Sequence, residues 1–390
     1  MPPGNRLRRS LIASVPLMAG SVMALVRPAM AHSLLVSRGE AVMHTDRIAV
    51  EIEIAAEDLL HSHAVAMDEQ GRFRLGALAA AARAHTVTLD RTLVIRNTEG
   101  NRLQGGPFDA QVDWSSGGAV ELRDLRRQYV KYTSTYVLPS SSGFVFFQLL
   151  PVDRSMIVPW QLVLNVRGES QMGQIVRLTS RGNVESVELS WEDGQPSVLP
   201  APHRAEAGSC TPCESRGAAR FKQVCADIEV DEPDMDVRLS IPLPLLSTWI
   251  ALEADDDEFL DLSEQIAAQK SVLTLVHSAI AARNQAGPLS AEMLDVRFVS
   301  GAETTTDRIS VWTGGLRAHA RFHGTGQVDS FVLRWGLFNG AVLSGVANIH
   351  ASGRCTEHEF STYRPEYVIA PRGATPSGAL HREGLEPSTR

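Results

Sequence analysis

The side chains best suited to bind an ion lie in an acidic segment at residues 253–264. Calcium takes six to eight hard oxygen ligands, which a twelve-residue loop supplies at positions 1, 3, 5, 7, 9 and 12. In this segment those positions hold Glu253, Asp255, Asp257, Phe259 (through its carbonyl), Asp261 and Glu264. The spacing therefore predicts a calcium site. A solvated acidic turn that begins a helix is the alternative interpretation of the same residues.

The segment resembles an EF-hand-type calcium loop over these twelve residues and the helix after them. It departs from that pattern at position 1, which is Glu253, and at position 6, where Glu258 replaces the usual glycine. Because a residue other than glycine is strained at positive φ, the resemblance implies a weakened site. The corresponding loop at residues 66–77 has Asp68 as its one carboxylate at a ligand position, so it is not expected to bind calcium.

Histidines near the amino terminus suggest a second metal chemistry. If cleavage follows Ala31, His32 becomes the first residue and can chelate copper through its α-amine and its imidazole. His44, His61 and His63 could complete such a site. The alternative is an ordinary polar terminus.

Four cysteines are available for redox, metal or structural roles: Cys210, Cys213, Cys225 and Cys355. Cys210 and Cys213 have the spacing of a redox dithiol, but they lie in a Gly/Pro-rich stretch with no helix to activate a thiolate. All four together could bind zinc. Structural disulfides are the favoured prediction, and the sequence does not choose among the three full pairings.

The remaining candidates each offer two side chains without a third partner. They are His319 with His323, the segment Cys355–His358, Glu51 with Glu53, and Asp255 with Asp257. No P-loop, G-x-S-x-G or H-E-x-x-H motif accompanies them. The sequence therefore predicts no catalytic residue.

The elements that must position these residues repeat at an offset of 187 residues. Arg47–Gly100 aligns with Asp234–Gly287 without a gap, and the alternating apolar run Val50–Ile54 falls on Val237–Ile241. Identity is low, but the hydrophobic phase is kept. Two copies of one unit would explain most of the chain.

Each copy is expected to form a strand, a loop, a helix and a second strand, followed by sandwich-like strands. The alternation at residues 48–54 indicates a strand with one buried face. The alanine-rich segment Leu75–Ala84 predicts a helix, and a second helix is expected from Ser263 onward. Later segments such as Tyr129–Leu138 are rich in residues that favour strands. The expected fold class is therefore α+β.

The chain ends and the segment between the copies complete the predicted domain organisation. A basic stretch, an apolar stretch and the motif Ala29–Ala31 predict a signal peptide at residues 1–31, with an uncleaved membrane anchor as the alternative. The two repeat units then span residues 32–193 and 218–370, and a Gly/Pro-rich linker occupies 194–217. A disordered tail is expected at 371–390.

Composition limits the compartment and the partners. The net charge of −8 argues against a nucleic-acid partner, because phosphate binding needs a basic face. No later segment approaches 18 consecutive apolar residues, so no transmembrane segment is expected after signal cleavage. These features predict an exported protein, periplasmic or extracellular.

The stretch Ala31–Gly105 is similar to exported segments that precede membrane permeases of the hydrogenase and urease accessory type. The likeness rests on His32, on the strand before Glu57–Leu59 and on Asp68–Phe73. That family is associated with metal transport. This sequence contains no permease segment, so the resemblance does not extend to transport.

Three functional hypotheses follow. The leading one is an exported, non-catalytic binding or surface-structural protein of two repeats, with calcium as a stabiliser of the second. The first alternative is a periplasmic metal-handling protein for calcium or copper. The second alternative is an enzyme of unrecognised type.

Overall fold

The alternation of apolar residues at 47–55 produces a strand with one face in the core. Ile48, Val50, Ile52 and Ile54 are buried, and the residues between them are more exposed. The computed structural model describes residues 36–370 except 113, 115–117, 141, 152–159, 170–172, 181–182, 193, 201–209, 253–257 and 326–329. The predicted signal peptide, the predicted tail and His32 lie outside the described residues.

The first half of the chain is mostly strands. These are β1 (Val36–Met43), β2 (Arg47–Ala55), β3 (Phe73–Arg74), β4 (Leu93–Arg96), β5 (Asp109–Gln111), β6 (Ala119–Val120), β7 (Tyr129–Val137), β8 (Phe144–Leu149), β9 (Gln161–Gly168), β10 (Gln174–Thr179), β11 (Val184–Glu192) and β12 (Gln195–Val198). The helices are α1 (Ala56–Ser62), α2 (Leu75–Thr92) and α3 (Leu122–Leu125).

The second half has a similar set of elements. Its strands are β13 (Val224–Asp231), β14 (Asp234–Pro242), β15 (Phe259–Asp261), β16 (Ile280–Asn284), β17 (Gly287–Pro288), β18 (Ser290–Val299), β19 (Arg308–Ser310), β20 (Gly315–His323), β21 (Phe331–Trp335), β22 (Ser344–Ala351), β23 (Arg354–Ser361) and β24 (Glu366–Ile369). Its helices are α4 (Leu243–Leu246) and α5 (Leu262–Ala279).

Each half contains a six-stranded sheet and a four-stranded sheet. The six-stranded sheets have the orders β10-β9-β1-β2-β7-β5 and β23-β22-β13-β14-β20-β18. In both, the second and third strands pair in parallel and the other neighbours are antiparallel. The four-stranded sheets are β12-β11-β8-β4 and β17-β16-β21-β24. In the first half, the hydrophobic core contains residues of both sheets and of α2, which is the packing of a β-sandwich with a helix.

The expected α+β class is wrong, because the protein is mostly β: strands account for 50% of it and helices for 19%. The expected class rested on the strand-loop-helix segment, whereas most of the elements in each half are strands. In each half, a strand late in the chain pairs with the first strand: β9 pairs with β1, and β22 pairs with β13. These pairings join residues more than 100 positions apart, so local periodicity does not reveal them.

The two long helices bury matching positions. In α2 the buried residues include Leu78, Ala81, His85, Leu89 and Thr92. In α5 they are Gln265, Ala268, Val272, Val276 and Ala279, each 187 positions later. The spacing of three or four residues places each set on one helical face toward the core.

The two halves contact each other through buried and charged side chains. Arg96, which is fully buried, donates to Glu258 across the junction, and Lys222 pairs with Glu185. The guanidinium of Arg220 lies 4.9 Å from the centre of the Phe144 ring. In agreement, the described residues of both halves belong to one compact unit.

The segment predicted as a linker contains ordered structure. Residues 195–198 form β12, and two disulfides attach the segment to the second half: Cys210–Cys355 and Cys213–Cys225. Asn348 is buried and donates to Asp227 and to the carbonyl of Thr211, so a polar network also fixes this segment.

None of the helices within the described residues is long and apolar enough to cross a membrane.

Candidate functional site

A cavity of about 320 Å³ lies in the first half, beside the end of α2. Its wall is formed by Asp90, Leu93, Val94, Ile95, Arg102, Leu103, Gly105, Gly106, Pro107 and Tyr136. Thus α2 and β4 form one side of the cavity, and residues 102–107 form another. Strand β7 contributes the aromatic ring of Tyr136. The volume is at the small end of the range for ligand pockets.

Three of the lining residues are polar. Asp90 accepts a hydrogen bond from the backbone N–H of Phe108 at 2.9 Å. Burial raises the pKa of the Tyr136 hydroxyl, and the nearby carboxylate of Asp90 raises it further, so this hydroxyl stays protonated. Arg102 supplies the positive charge. The cavity therefore offers one acidic, one basic and one hydroxyl group, and its accessible wall is more polar than apolar.

Arg102 is held by an ion-pair cluster at the junction of the halves. It donates to Glu258 at 2.7 Å, and Arg96 donates to the other oxygen of that carboxylate at 2.9 Å. Burial opposes the charge on Glu258, but the hydrogen bonds from Arg102 and Arg96 outweigh it and lower the pKa of the carboxyl. The cluster stays ionised and orients Arg102 at the cavity edge.

A pair of imidazoles lies elsewhere in the first half. His63 follows α1 and is half-buried, and His85 lies on the buried face of α2. His63 Nε2 is 3.2 Å from His85 Nδ1, and the two rings are nearly perpendicular at 79°. Within the described part of the chain, His63 is the one hydrogen-bond partner of the His85 ring.

Aromatic rings surround His85. The ring centre of Tyr132 is 5.8 Å away and that of Trp160 is 6.3 Å away. Both have polar atoms engaged elsewhere: the Tyr132 hydroxyl donates to the carbonyl of Ala82, and the Trp160 indole donates to Ser37. The pocket around His85 is therefore largely apolar.

Burial sets the protonation of the pair. It lowers the pKa of His85 to about 4, with a further contribution from His63. Burial also lowers the pKa of His63. Both imidazoles are accordingly neutral at pH 7.

The acidic segment is described only from Glu258 onward; Glu253, Asp255 and Asp257 lie outside the described residues. Phe259 belongs to β15, and Asp261 caps α5 by accepting from the N–H of Glu264 at 2.9 Å. Glu264 in turn accepts from the N–H of Asp261, which completes a capping box. The carboxylates of Asp261 and Glu264 thus serve the helix start, and calcium binding stays a prediction.

The backbone at Glu258 and at its counterpart in the first half has positive φ. Glu258 has φ 67°, and Gly71, 187 positions earlier, has φ 74°. Asp68 in the first loop accepts from the N–H groups of Gln70 and Arg72, so its carboxylate closes a turn.

The other predicted histidine ligands do not converge. His44 pairs with Glu169 at 2.5 Å, and His61 lies exposed in the last turn of α1. His319 and His323 lie four residues apart on β20, where they pair with Asp236 and Glu292 respectively. Four strand residues span about 13 Å, which is too far for one ion.

The prediction of structural disulfides is confirmed. Each cysteine of the C-x-x-C motif is bonded to a different partner, Cys210 to Cys355 and Cys213 to Cys225. The two do not form a dithiol with each other, and no free cysteine remains among the described residues to ligate zinc.

His85 is not among the residues that the sequence pointed to. The helix was expected to end at Ala84, although the buried positions at 78, 81, 85 and 89 continue its apolar stripe. A histidine on such a stripe was the available signal. The lining residues of the cavity had no comparable signal, because they come from segments far apart in the chain.

Comparisons with known proteins do not identify a family. No family model matches the chain, and no curated protein matches it. Among solved structures, it is similar to one described as the crystal structure of the conserved domain protein from Bacillus anthracis. That likeness covers 84% of this chain and 82% of the other, with 9% identity and a TM-score of 0.14, and it supports no functional conclusion.

Proposed function

We propose that the protein is an exported, non-catalytic binding protein built from two copies of one β-rich unit. The two six-stranded sheets share one pattern of pairing, and the buried helix positions correspond at one offset. The two disulfides support an oxidising compartment. Fold alone does not define function, so the proposal depends on a site.

The cavity beside α2 is the observation that carries the binding role. Its accessible wall is mostly polar, with Asp90, Arg102 and the Tyr136 hydroxyl beside a smaller apolar area, which suits a small polar molecule with a minor apolar part. Arg102 is oriented by Glu258 of the second half. Ligand binding in the first half would therefore depend on the contact between the halves.

Filling the cavity tests this role. A Cβ at Gly106 would meet nothing closer than the Thr135 carbonyl at 3.7 Å, so Gly106→Leu adds a side chain to the cavity wall without a backbone clash. Gly340 has nothing within 4 Å and does not line the cavity, so Gly340→Leu is the matched control.

The protein is purified from its exported fraction, and the small molecules that it releases on denaturation are identified by mass spectrometry. We expect a near-stoichiometric molecule in wild type and in Gly340→Leu, and its loss from Gly106→Leu. No retained molecule in wild type, or equal retention in all three, would show that the cavity is not the binding site.

Metal handling is the second candidate, and the imidazole pair favours it. Neutral imidazole is the form that binds metal ions. His63 also belongs to the group of histidines that the sequence suggests for copper. His32 lies outside the described residues, so its part in a copper site stays a prediction.

A further inference from the structure

The imidazole pair has the spacing of two ligands on one metal ion. His63 Nε2 and His85 Nδ1 are 3.2 Å apart. Two nitrogens bound to a tetrahedral ion, each at about 2.0 Å, lie about 3.3 Å from each other. Neighbouring positions of a square-planar ion with the same bond length are closer, at about 2.8 Å. The observed separation favours tetrahedral coordination.

The surroundings of the pair also suit a bound ion. Tyr132 and Trp160 enclose His85, and their own polar atoms are used elsewhere. The half-buried His63 leaves one side of the pair accessible from solvent.

The second half has no such pair at the corresponding place. Val272 takes the position in α5 that His85 takes in α2, and it is fully buried in a hydrophobic core. Ile250 stands 187 positions after His63. A buried polar ring is less favourable than valine for packing, so the scaffold does not require histidine at this position.

We propose that His63 Nε2 and His85 Nδ1 bind one divalent transition-metal ion of the zinc type. Imidazole nitrogen suits zinc, copper and nickel, and two protein ligands leave two positions of a tetrahedral ion for water or for donors from another molecule. His63 and His85 do not line the cavity, so this metal-site proposal can be tested independently of the proposed ligand.

A hydrogen bond between two neutral imidazoles would produce the same distance, and metal titration separates the two possibilities. Zinc(II) is titrated calorimetrically into the purified wild-type protein and into His63→Gln, His85→Val and His277→Gln. Valine is the residue at the matching position of α5, and His277 is an exposed histidine in the last turn of α5. Circular dichroism establishes that each variant is folded.

We expect one equivalent of zinc in wild type and in His277→Gln, and its loss from His63→Gln and His85→Val. With cobalt(II) in place of zinc, wild type should show the intense visible absorption of tetrahedral coordination. His63→Gln and His85→Val should not show it. Zinc should raise the melting temperature of wild type but not of His85→Val. Equal binding by wild type and both pair variants, or no binding by wild type, would overturn the proposal.

Discussion

The two halves place different chemistry on the same buried helical face. In the first half, α2 directs His85 toward His63, whereas α5 directs Val272 into an apolar core. The cavity also lies in the first half, and both disulfides hold the second. If the halves are copies of one unit, the second half has an apolar core at this helical face, and the first half has the polar pair His63 and His85 there. The difference suggests that the second half supports and the first half binds.

The largest expected effect is the loss of the long disulfide that holds the second half. Cys210 and Cys355 are separated by 145 residues, and Cys213 and Cys225 by 12. Because a disulfide restricts the unfolded chain more when its loop is longer, replacing both Cys210 and Cys355 with Ala should lower the free energy of unfolding by about 5 kcal/mol.

Replacing Cys213 and Cys225 with Ala should cost less, about 3 kcal/mol, and it serves as the matched control. Urea unfolding of the three proteins, with the remaining disulfide intact, measures both losses. Equal losses would mean that native contacts around each bridge, rather than loop length, determine its contribution.

The sequence predicted local features of both halves better than their assembly. The alternation at 48–54 and the helix beginning at Leu75 were correct because each depends on neighbouring residues. The α+β class was wrong because the dominant pairings, such as β1 with β9, bring together distant segments. For the same reason, cysteine spacing could not show which cysteines pair.

The candidate site was predictable only in part. His63 was singled out, but its partner was not, because the contact depends on how α1 packs on α2. Position 6 of the acidic segment was expected to be strained, and Glu258 does have positive φ. Its pairing with Arg96 and Arg102 could not be foreseen, since those residues lie more than 150 positions earlier.

The second-largest effect is an acid sensitivity that comes from His85 in the first half. Unfolded histidine has a pKa of about 6.5, and burial lowers that of His85 to about 4. Above pH 6.5 both states are neutral. As the pH falls from 6.5 toward 4, the unfolded state gains a proton that the folded state does not, so the free energy of unfolding declines.

The difference of about 2.5 pKa units corresponds to a loss of about 3 kcal/mol at pH 4. His85→Val removes this loss, because valine does not titrate. Unfolding of wild type and His85→Val is measured between pH 7 and 4 without added metal. If the two proteins lose stability in parallel, the imidazole is not buried in the folded state.

A smaller effect concerns the acidic segment of the second half. If Glu253–Glu264 binds calcium, ten times the dissociation constant should stabilise the fold by about 1.4 kcal/mol. Glu264→Gln removes one charged ligand and leaves an oxygen that can still accept from the N–H of Asp261, so the helix cap is kept. Asp68→Asn in the first loop is the control.

Thermal melting with and without millimolar calcium measures this effect. We expect calcium to raise the melting temperature of wild type and of Asp68→Asn, and to raise that of Glu264→Gln less. Identical melting of wild type with and without calcium would assign the acidic segment to helix capping alone.

The smallest effect separates backbone strain from the rest of the comparison. Gly71 has φ 74°, where its counterpart in the second half is Glu258 at φ 67°. Because alanine is strained at positive φ, Gly71→Ala should destabilise the protein by about 1 kcal/mol, even though a Cβ there would meet nothing within 4 Å.

Gly76 is the control: it has equally open space but lies in the first turn of α2, and its φ is not positive. There the same substitution should stabilise the protein by about 0.5–1 kcal/mol, since alanine favours the helix. Opposite signs in thermal unfolding would show that the loop conformation at position 6 exists in solution in the first half, where glycine and the turn closed by Asp68 take the place of the Glu258 ion pairs. Equal signs would mean that only the ion pairs of Glu258 maintain this conformation, and only in the second half.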